Sequence, residues 1–200
     1  GIGFPLVFSK KTRNKSWGEV LVGFALLFIG LESLKSSVPN IGENPEILEF
    51  LKNFTGMGLG SSLIFLLIGT LLTVVIQSSS ATMALTLVMC NNGWIQFDHA
   101  AAMVLGENIG TTITANIAAT VANSSAKRAA RIHFLFNVVG VIWVLSIFPF
   151  FLRGIDTITQ SITGSSAFNN SGAVPIALSF FHTSFNILNV LFHKLDFSVQ

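Results

Sequence analysis

The sequence predicts an all-α integral membrane protein that contains a re-entrant helical hairpin and a broken transmembrane helix. Of its 200 residues, 51% are hydrophobic and only 10% are charged, whereas a soluble domain carries about 25% charged residues. Asp, Glu, Lys and Arg are absent from three runs, 53–97, 132–152 and 157–193. Each run is long enough to cross a bilayer, which takes about 20 apolar residues, and each lacks the polar face of a soluble helix.

The first predicted membrane helix covers residues 17–38. Trp17 lies where an interfacial anchor is expected, and four basic residues precede it between positions 10 and 15. Residues 39–59 form a polar, acidic link with a glycine-rich end. Residues 1–9 resemble the end of an apolar helix whose start lies upstream, so we expect residues 1–200 to be a fragment, a single transmembrane domain.

The remaining elements alternate apolar runs with polar interruptions. Residues 60–90 are interrupted by Gln-Ser-Ser-Ser at 77–80, and residues 99–122 by Gly-Glu-Asn-Ile-Gly-Thr-Thr at 106–112. Two plain spanning helices are predicted over 132–152 and 173–192, with a loop rich in Gly, Ser and Asn over 153–172.

The charge distribution predicts the topology, because cytoplasmic loops are enriched in Lys and Arg. If the basic clusters before Trp17 and at 127–131 both lie inside, the first helix leads out of the cytoplasm and the chain must cross back once before residue 127. Two elements, 60–90 and 99–122, occupy that stretch, so one of them cannot cross the membrane. An arm of a hairpin over 60–90 is only about 23 Å long at 1.5 Å per residue, short of the roughly 30 Å hydrocarbon core. We therefore predict that 60–90 is re-entrant with its tip near 77–80, and that 99–122 is a spanning helix broken at 106–110.

The tip segment is the first candidate binding site. Gln77, Ser78, Ser79, Ser80 and Thr82 place an amide and four hydroxyls in a charge-free run. A helix that restarts near Ser79 directs free N–H groups and its positive dipole end at the tip, which suits an oxyanion such as phosphate. Hydroxyl and carbonyl oxygens can also replace the water shell of sodium. The alternative is that these serines only cap or pack helices; a four-residue polar block favours binding.

The second candidate segment is 106–112. Its two glycines allow the backbone to leave helical geometry, and Asn108, Thr111 and Thr112 supply side-chain oxygens. Glu107 is the only acid between Asp98 and Asp156. An acid inside a membrane suggests function, and ion binding is predicted for it. A salt bridge or a protonated, hydrogen-bonded structural role is the alternative.

A His-x-x-Phe-Asn pattern occurs at 133–137 and again at 182–186. His and Asn four residues apart share one helix face. Hydrogen bonding between helices is favoured over metal ligation, because no further ligand is close in sequence. His182, Thr183 and Asn186 are candidates for a cavity wall.

The composition and motifs exclude several functional classes. The net charge of +2 and a pI near 8.9 do not indicate nucleic-acid binding, and the single cysteine, Cys90, cannot form an intrachain disulfide. Metalloprotease, Walker, Gly-x-Ser-x-Gly and Cys-x-x-Cys motifs are absent. Besides a secondary transporter, two alternatives stay open: a passive ion or anion channel, and an intramembrane serine hydrolase that uses a serine of 78–80 with His133 or His182.

Three motifs in order, QSSSAT, LGENIGTT-x-TA and AKRAA-x-x-H-x-x-FN, resemble the type II sodium/phosphate cotransporters. The resemblance implies two inverted repeats, of which this chain is similar to the second, so its partner is an N-terminal repeat or a second copy. It further implies sodium-coupled transport of inorganic phosphate, in a multi-pass protein of the plasma membrane (the bacterial inner membrane), with no enzymatic activity and no cofactor besides sodium as coupling ion.

The resemblance also implies roles for individual residues. Residues 77–80 of the first motif correspond to a segment that binds phosphate and sodium in the family. Sodium is expected at Gln77, Ser78 and Ser79. On the second motif it is expected at Asn108 and Thr111, and Thr112 belongs to the same polar break.

Overall fold

The computed structural model describes residues 2–37, 46 and 53–197, and the regular secondary structure in this part of the chain is helical throughout. The all-α prediction is therefore confirmed. The helices are α1 (Gly3–Val7), α2 (Thr12–Ser37), α3 (Leu59–Ile76), α4 (Ser79–Asn91), α5 (Phe97–Ala119), α6 (Ser124–Ser146), α7 (Phe148–Thr163) and α8 (Val174–Phe197), with a 3₁₀ turn at Ser171–Ala173. The chain divides into two compact units, Gly1–Glu43 and Asn44–Gln200.

The first unit is formed by α1 and α2. Gly18 lies against the backbone of Leu6 and Val7, so the short α1 packs closely on the start of α2. The helix predicted over 17–38 begins earlier, at Thr12, and takes in part of the basic cluster. Most of the predicted polar link over 39–59 lies outside the described residues.

In the second unit, α3 and α5 form a parallel pair. The rings of Phe65 and His99 are 4.5 Å apart, Gly69 lies against the Met103 carbonyl, and Thr73 lies against Gly110. The paired positions rise together along both helices, which is possible only when the helices run in the same direction. Residues 100–105 of α5 are fully buried in this packing and form the centre of the core.

The helix between them, α4, folds back on α5. Five residues separate the end of α4 from the start of α5, and yet Thr86 and Glu107 meet across the two helices. Helix α4 starts beside the end of α3, which pairs with Gly110 of α5, and it ends just before the start of α5. It therefore runs antiparallel to α5, and hence to α3. Helices α3 and α4 are therefore the two arms of a helical hairpin whose tip is Gln77 and Ser78.

The break predicted in the 99–122 helix is wrong. Helix α5 is continuous from Phe97 to Ala119, through the whole of 106–112. Gly106 and Gly110 lie one turn apart on one face, and both contact α3: a Cβ on Gly106 would overlap the Leu66 carbonyl, and one on Gly110 would lie 2.7 Å from Thr73 Cβ. These glycines allow two helix backbones to approach closely, which is a common role of small residues in membrane proteins.

The helix predicted over 132–152 and the loop predicted over 153–172 are also corrected. Helix α6 begins at Ser124, where the Asn123 side chain accepts a hydrogen bond from Ala126 N at 2.9 Å, and it ends at Ser146. Pro149 cannot continue it, because proline lacks the N–H that a helix interior needs. Much of the predicted loop belongs instead to α7, which buries one face of Phe148, Leu152, Ile155 and Thr159.

Four helices in the described residues are long and apolar enough to cross a membrane, within Thr12–Ser33, Leu59–Ile76, Ser124–Ser146 and Ser171–Phe192. Many of their large apolar side chains are exposed, as lipid-facing positions require. The chain is a multi-pass membrane protein. The depth of the hairpin stays a prediction: α4 has 13 residues and is too short to cross, but α3 has 18 and could do so.

Candidate functional site

The tip of the hairpin is a sharp reversal between two helices. Gln77 ends α3 in the left-handed conformation, with φ 58° and ψ 24°, and its N–H donates to Thr73 O at 2.8 Å. A non-glycine residue adopts this conformation infrequently, and it often marks a functional or strained position. The Gln77 side chain is exposed as a result.

Helix α4 starts at Ser79, where the sequence motif places its serines. Ser78 is the N-cap, and its hydroxyl accepts a hydrogen bond from Ala81 N at 3.3 Å. The first N–H groups of a helix have no acceptor within the helix, so those of Ser79 and Ser80 remain for a ligand. The Ser80 side chain is exposed and that of Ser79 is half-buried.

A stripe of hydroxyls runs down α4 from the tip. Thr82 and Thr86 follow Ser78 at intervals of four residues, and both are fully buried. Thr82 Oγ1 donates to Ser78 O, and Thr86 Oγ1 lies 3.0 Å from Thr82 O. The stripe therefore follows one face of α4, directed at α5.

Glu107 meets this stripe at its lower end. Its side chain is 2% exposed, and its Oε1 lies 2.9 Å from Thr86 Oγ1. Within the described residues Glu107 has no ion pair, so the salt bridge considered for it is not formed. The structure thus joins the two motifs through Thr86, which neither motif contains.

The other predicted residues of α5 bond mainly to their own helix. Asn108 Nδ2 donates to Val104 O, Thr111 Oγ1 to Glu107 O and Thr112 Oγ1 to Ile109 O, at 2.7–2.9 Å. Thr112 is fully buried, and the other two are half-buried. Continuing the pairing of Thr73 with Gly110 by one turn brings Gln77 level with Thr114, so the tip lies beside the end of the 106–112 segment.

The His-x-x-Phe-Asn motifs do not make the predicted bonds between helices through their amides. Asn137 and Asn186 donate to the carbonyls of His133 and His182 in their own helices, at 3.0 and 2.8 Å. On α8, the wall candidate Thr183 is exposed, whereas His182 and Asn186 are half-buried. Helix α8 packs against both α4 and α5.

The hydrogen bonds between α6 and α8 come from Asn189, a residue that sequence reasoning missed. It is fully buried, accepts from Trp143 Nε1 at 3.4 Å and donates to Phe136 O at 3.3 Å. Gly140 makes room for its amide. Thr70 was missed as well: its hydroxyl lies 3.0 Å from Gly106 O and connects α3 to α5. For Thr86 and the glycine contacts the sequence did hold a signal, the spacing of four between Thr82 and Thr86 and between Gly106 and Gly110.

A cavity of about 680 Å³ lies at the opposite end of α3 from the tip. It is lined by residues that include Ser62, Asp98, Arg153, Asp156 and Thr157. The lining contains no member of the two motifs. We therefore build the candidate site on the tip and the stripe rather than on this cavity.

Polar helix ends inside a membrane protein are characteristic of secondary transporters, which bind their substrates at discontinuous helices. The hairpin tip, the helix N-terminus at Ser79 and the buried Glu107 below it are features of this kind. A family model described as Na+/Pi-cotransporter matches residues 46–182. The chain belongs to this family, whose members are transporters rather than enzymes.

The chain is also similar to several curated proteins. The chain is 34% identical to the uncharacterized protein YqeW of Bacillus subtilis over 149 residues, 73% of this chain and 45% of YqeW. It is 30% identical to human sodium-dependent phosphate transport protein 2B over 182 residues, 88% of this chain and 26% of that protein. With human protein 2C the identity is 42% over 84 residues, 40% and 14% of the two chains. This chain thus spans less than half of each relative, and no solved structure matches it significantly.

Proposed function

We propose that this chain supplies one binding half of a sodium-coupled transporter of inorganic phosphate. The observation that carries the proposal is the N-terminus of α4, where Ser78, Ser79 and Ser80 surround free backbone N–H groups at a helix reversal. The family membership and the names of the human relatives point to the same substrates. The other half of the site is expected from an N-terminal repeat or a second copy of the chain.

Phosphate suits the tip on chemical grounds. Its oxygens accept hydrogen bonds, and the tip offers donors: the N–H groups of Ser79 and Ser80, two serine hydroxyls and the Gln77 amide. The positive end of the α4 dipole adds to the attraction for an anion. Each such bond to a charged acceptor contributes on the order of 1.5–3 kcal/mol.

Sodium suits the neighbouring oxygens and the buried acid. A carboxylate without a positive partner is unfavourable in a low-dielectric interior, and Glu107 is 2% exposed and forms no salt bridge within the described part of the chain. A cation bound near it, among the oxygens of Asn108 and Thr111, would compensate its charge. A sodium ion between Glu107 and a phosphate at the tip would favour the binding of both ions, and this reciprocity is the basis of coupling.

The test is flux in proteoliposomes that contain the transporter assembled with this chain. Radiolabelled phosphate should accumulate against its gradient when a sodium gradient is imposed, and not when potassium replaces sodium. Uptake should saturate with phosphate. Measuring efflux from preloaded vesicles under the reversed gradient gives the direction of net transport.

Two other results would contradict the proposal. Phosphate flux that only follows its own gradient, whatever the sodium gradient, would make the protein a passive channel. The second result is sodium-driven uptake of sulfate at the rate of phosphate uptake, together with inhibition of phosphate uptake by sulfate. It would show that the tip selects tetrahedral oxyanions as a class, and that phosphate is not the specific substrate.

A further inference from the structure

The three central helices of the second unit are joined in two different ways. Helices α3 and α5 interlock through their backbones: a Cβ on Gly69 would overlap the Met103 carbonyl, and one on Gly106 would overlap the Leu66 carbonyl. The Thr70 hydroxyl adds a hydrogen bond to Gly106 O at 3.0 Å. Because no side chain separates the two backbones here, α3 and α5 can slide or tilt past one another only by losing this packing.

The arm that carries the serines, α4, is attached differently. At its upper end it is connected to α3 through the tip, Gln77 and Ser78, where Gln77 has the left-handed conformation. Among the described side chains, the hydrogen bond between Thr86 and Glu107 is the one that joins α4 to another helix. It lies two turns below the cap, at the lower end of the stripe of Ser78, Thr82 and Thr86.

An ionised Glu107 carboxylate can only accept a hydrogen bond, so the Thr86 hydroxyl is the donor in this bond. The Thr86 hydroxyl has one hydrogen and lies 3.0 Å from Thr82 O and 2.9 Å from Glu107 Oε1. Thr82 O is already the acceptor of the backbone N–H one turn later in the helix, whereas the Glu107 carboxylate lies buried without an ion pair in the described residues. When the hydroxyl donates to the carboxylate, both acceptors are satisfied. Because this bond joins α4 to α5, it restrains the rotation of α4 about its own axis.

We propose that Thr86 is a positioning residue for the transport site: by donating to Glu107 it fixes the rotation of α4 on α5, and so aims Ser79 and Ser80 at the bound anion. Thr86 itself lies about 10 Å below Ser79 at 1.5 Å per residue and is fully buried, so it acts without touching phosphate at the tip. The proposal rests on the proposed function for its transport readout, but not for its structural one.

The transport readout is a double-mutant cycle in proteoliposomes at saturating sodium. Thr86→Val keeps the shape and removes the hydroxyl. It should weaken the apparent affinity for phosphate roughly 3- to 20-fold, the range for hydrogen bonds between membrane helices, with a smaller change in maximal rate. Thr86→Ser should restore the affinity. The double variant, Thr86→Val with Glu107→Ala, should bind phosphate no more weakly than Glu107→Ala alone.

The matched control is Thr159→Val on α7. Thr159 is also fully buried, and its hydroxyl bonds to Ile155 O of its own helix at 2.9 Å. It should leave phosphate affinity at the wild-type value. If Thr86→Val behaves like Thr159→Val, or if the effects of Thr86→Val and Glu107→Ala simply add, Thr86 does not position the site.

The structural readout uses the single native cysteine as a probe. Cys90 lies one turn beyond Thr86 on α4 and is 3% exposed. In the purified chain, its labelling by a membrane-permeant maleimide should be roughly 3- to 20-fold faster in Thr86→Val and in Glu107→Ala, and unchanged in Thr86→Ser and Thr159→Val. Unchanged labelling in Thr86→Val would overturn the proposal. If Cys90 is labelled faster in Thr86→Val but the wild type shows no phosphate flux, the Thr86–Glu107 attachment is retained and the proposed function is refuted.

Discussion

Gly106 of α5 lies directly against the carbonyl oxygen of Leu66 on α3, with no room for a side chain between the two backbones. Sequence reasoning placed a helix break at this glycine, whereas the structure uses it as a contact surface. The same contact brings Glu107, the next residue, to the face of α5 that meets α4. The close approach of α3 and α5 thus determines where the buried acid lies.

We therefore predict that Gly106→Ala destabilises the fold without breaking the helix. The added methyl group overlaps backbone, and overpacking of this kind costs about 1–3 kcal/mol. Thermal unfolding in detergent, followed by circular dichroism, should show a lower midpoint at unchanged helix content. Gly154→Ala on α7 is the control, since its Cβ would meet nothing within 4 Å. It should be neutral or stabilising by up to about 1 kcal/mol.

The second prediction concerns the tip. Ser79→Ala and Gln77→Ala should each weaken phosphate binding about ten- to hundredfold, because each removes a donor to a charged acceptor. Phosphate-dependent uptake in proteoliposomes at fixed sodium measures this. Ser146→Ala, an exposed serine at the end of α6 whose hydroxyl bonds to Ile142 O, should have no effect. Wild-type affinity in both tip variants would leave the serines as helix caps only.

The left-handed conformation of Gln77 makes a separate prediction. Gln77→Gly removes the amide but suits a φ of 58°, whereas Gln77→Val adds a β-branched side chain that disfavours it. Gln77→Gly should lose phosphate affinity while keeping its unfolding midpoint, and Gln77→Val should lose both. Equal unfolding midpoints for the two variants would mean that the backbone at the tip relaxes to another conformation in Gln77→Val.

The charge of Glu107 predicts a change in sodium dependence. Glu107→Gln keeps the size of the side chain and its capacity to bond to Thr86, but removes the negative charge that a bound cation would compensate. We expect a higher sodium concentration for half-maximal phosphate uptake, by about tenfold or more. Uptake measured over a sodium series at fixed phosphate is the test. An unchanged sodium dependence would assign Glu107 to positioning alone.

The topology makes the last prediction. Asn92 lies exposed in the turn after α4, and the charge pattern places it on the same side as Asn44, which lies outside the described residues. In a Cys90→Ala background, Asn92→Cys and Asn44→Cys should react with an impermeant thiol reagent from the same side of the membrane. Ser125→Cys, beside the basic residues at 127–131, should react from the other side. Labelling of positions 92 and 44 from opposite sides would contradict the prediction that the hairpin is re-entrant.

Much of the local structure followed from the sequence, with exceptions at α7 and at the end of α6. The start of α4 at Ser79 follows from short polar residues that cap helices, and the apolar runs follow from composition. Helix α7 was missed because the residues that follow it are rich in Gly, Ser and Asn and made the whole of 153–172 resemble a loop. Its buried face of Leu152, Ile155 and Thr159 becomes visible only when a core exists to cover it. The end of α6 was placed too late because Pro149 was not weighed against the apolar run around it.

By itself, the sequence determined that this protein is helical, lies in a membrane and carries two polar motifs in the order typical of its family, because composition and local capping chemistry depend on near neighbours along the chain. Only the tertiary structure decided that Gly106 and Gly110 pack rather than break, that Thr86 joins the motifs and that Asn189 links α6 to α8. A glycine permits both a break and a close approach, and a buried hydroxyl can bond to its own helix or to another. The choice depends on which helix lies opposite, and that is set by packing between residues far apart in the chain.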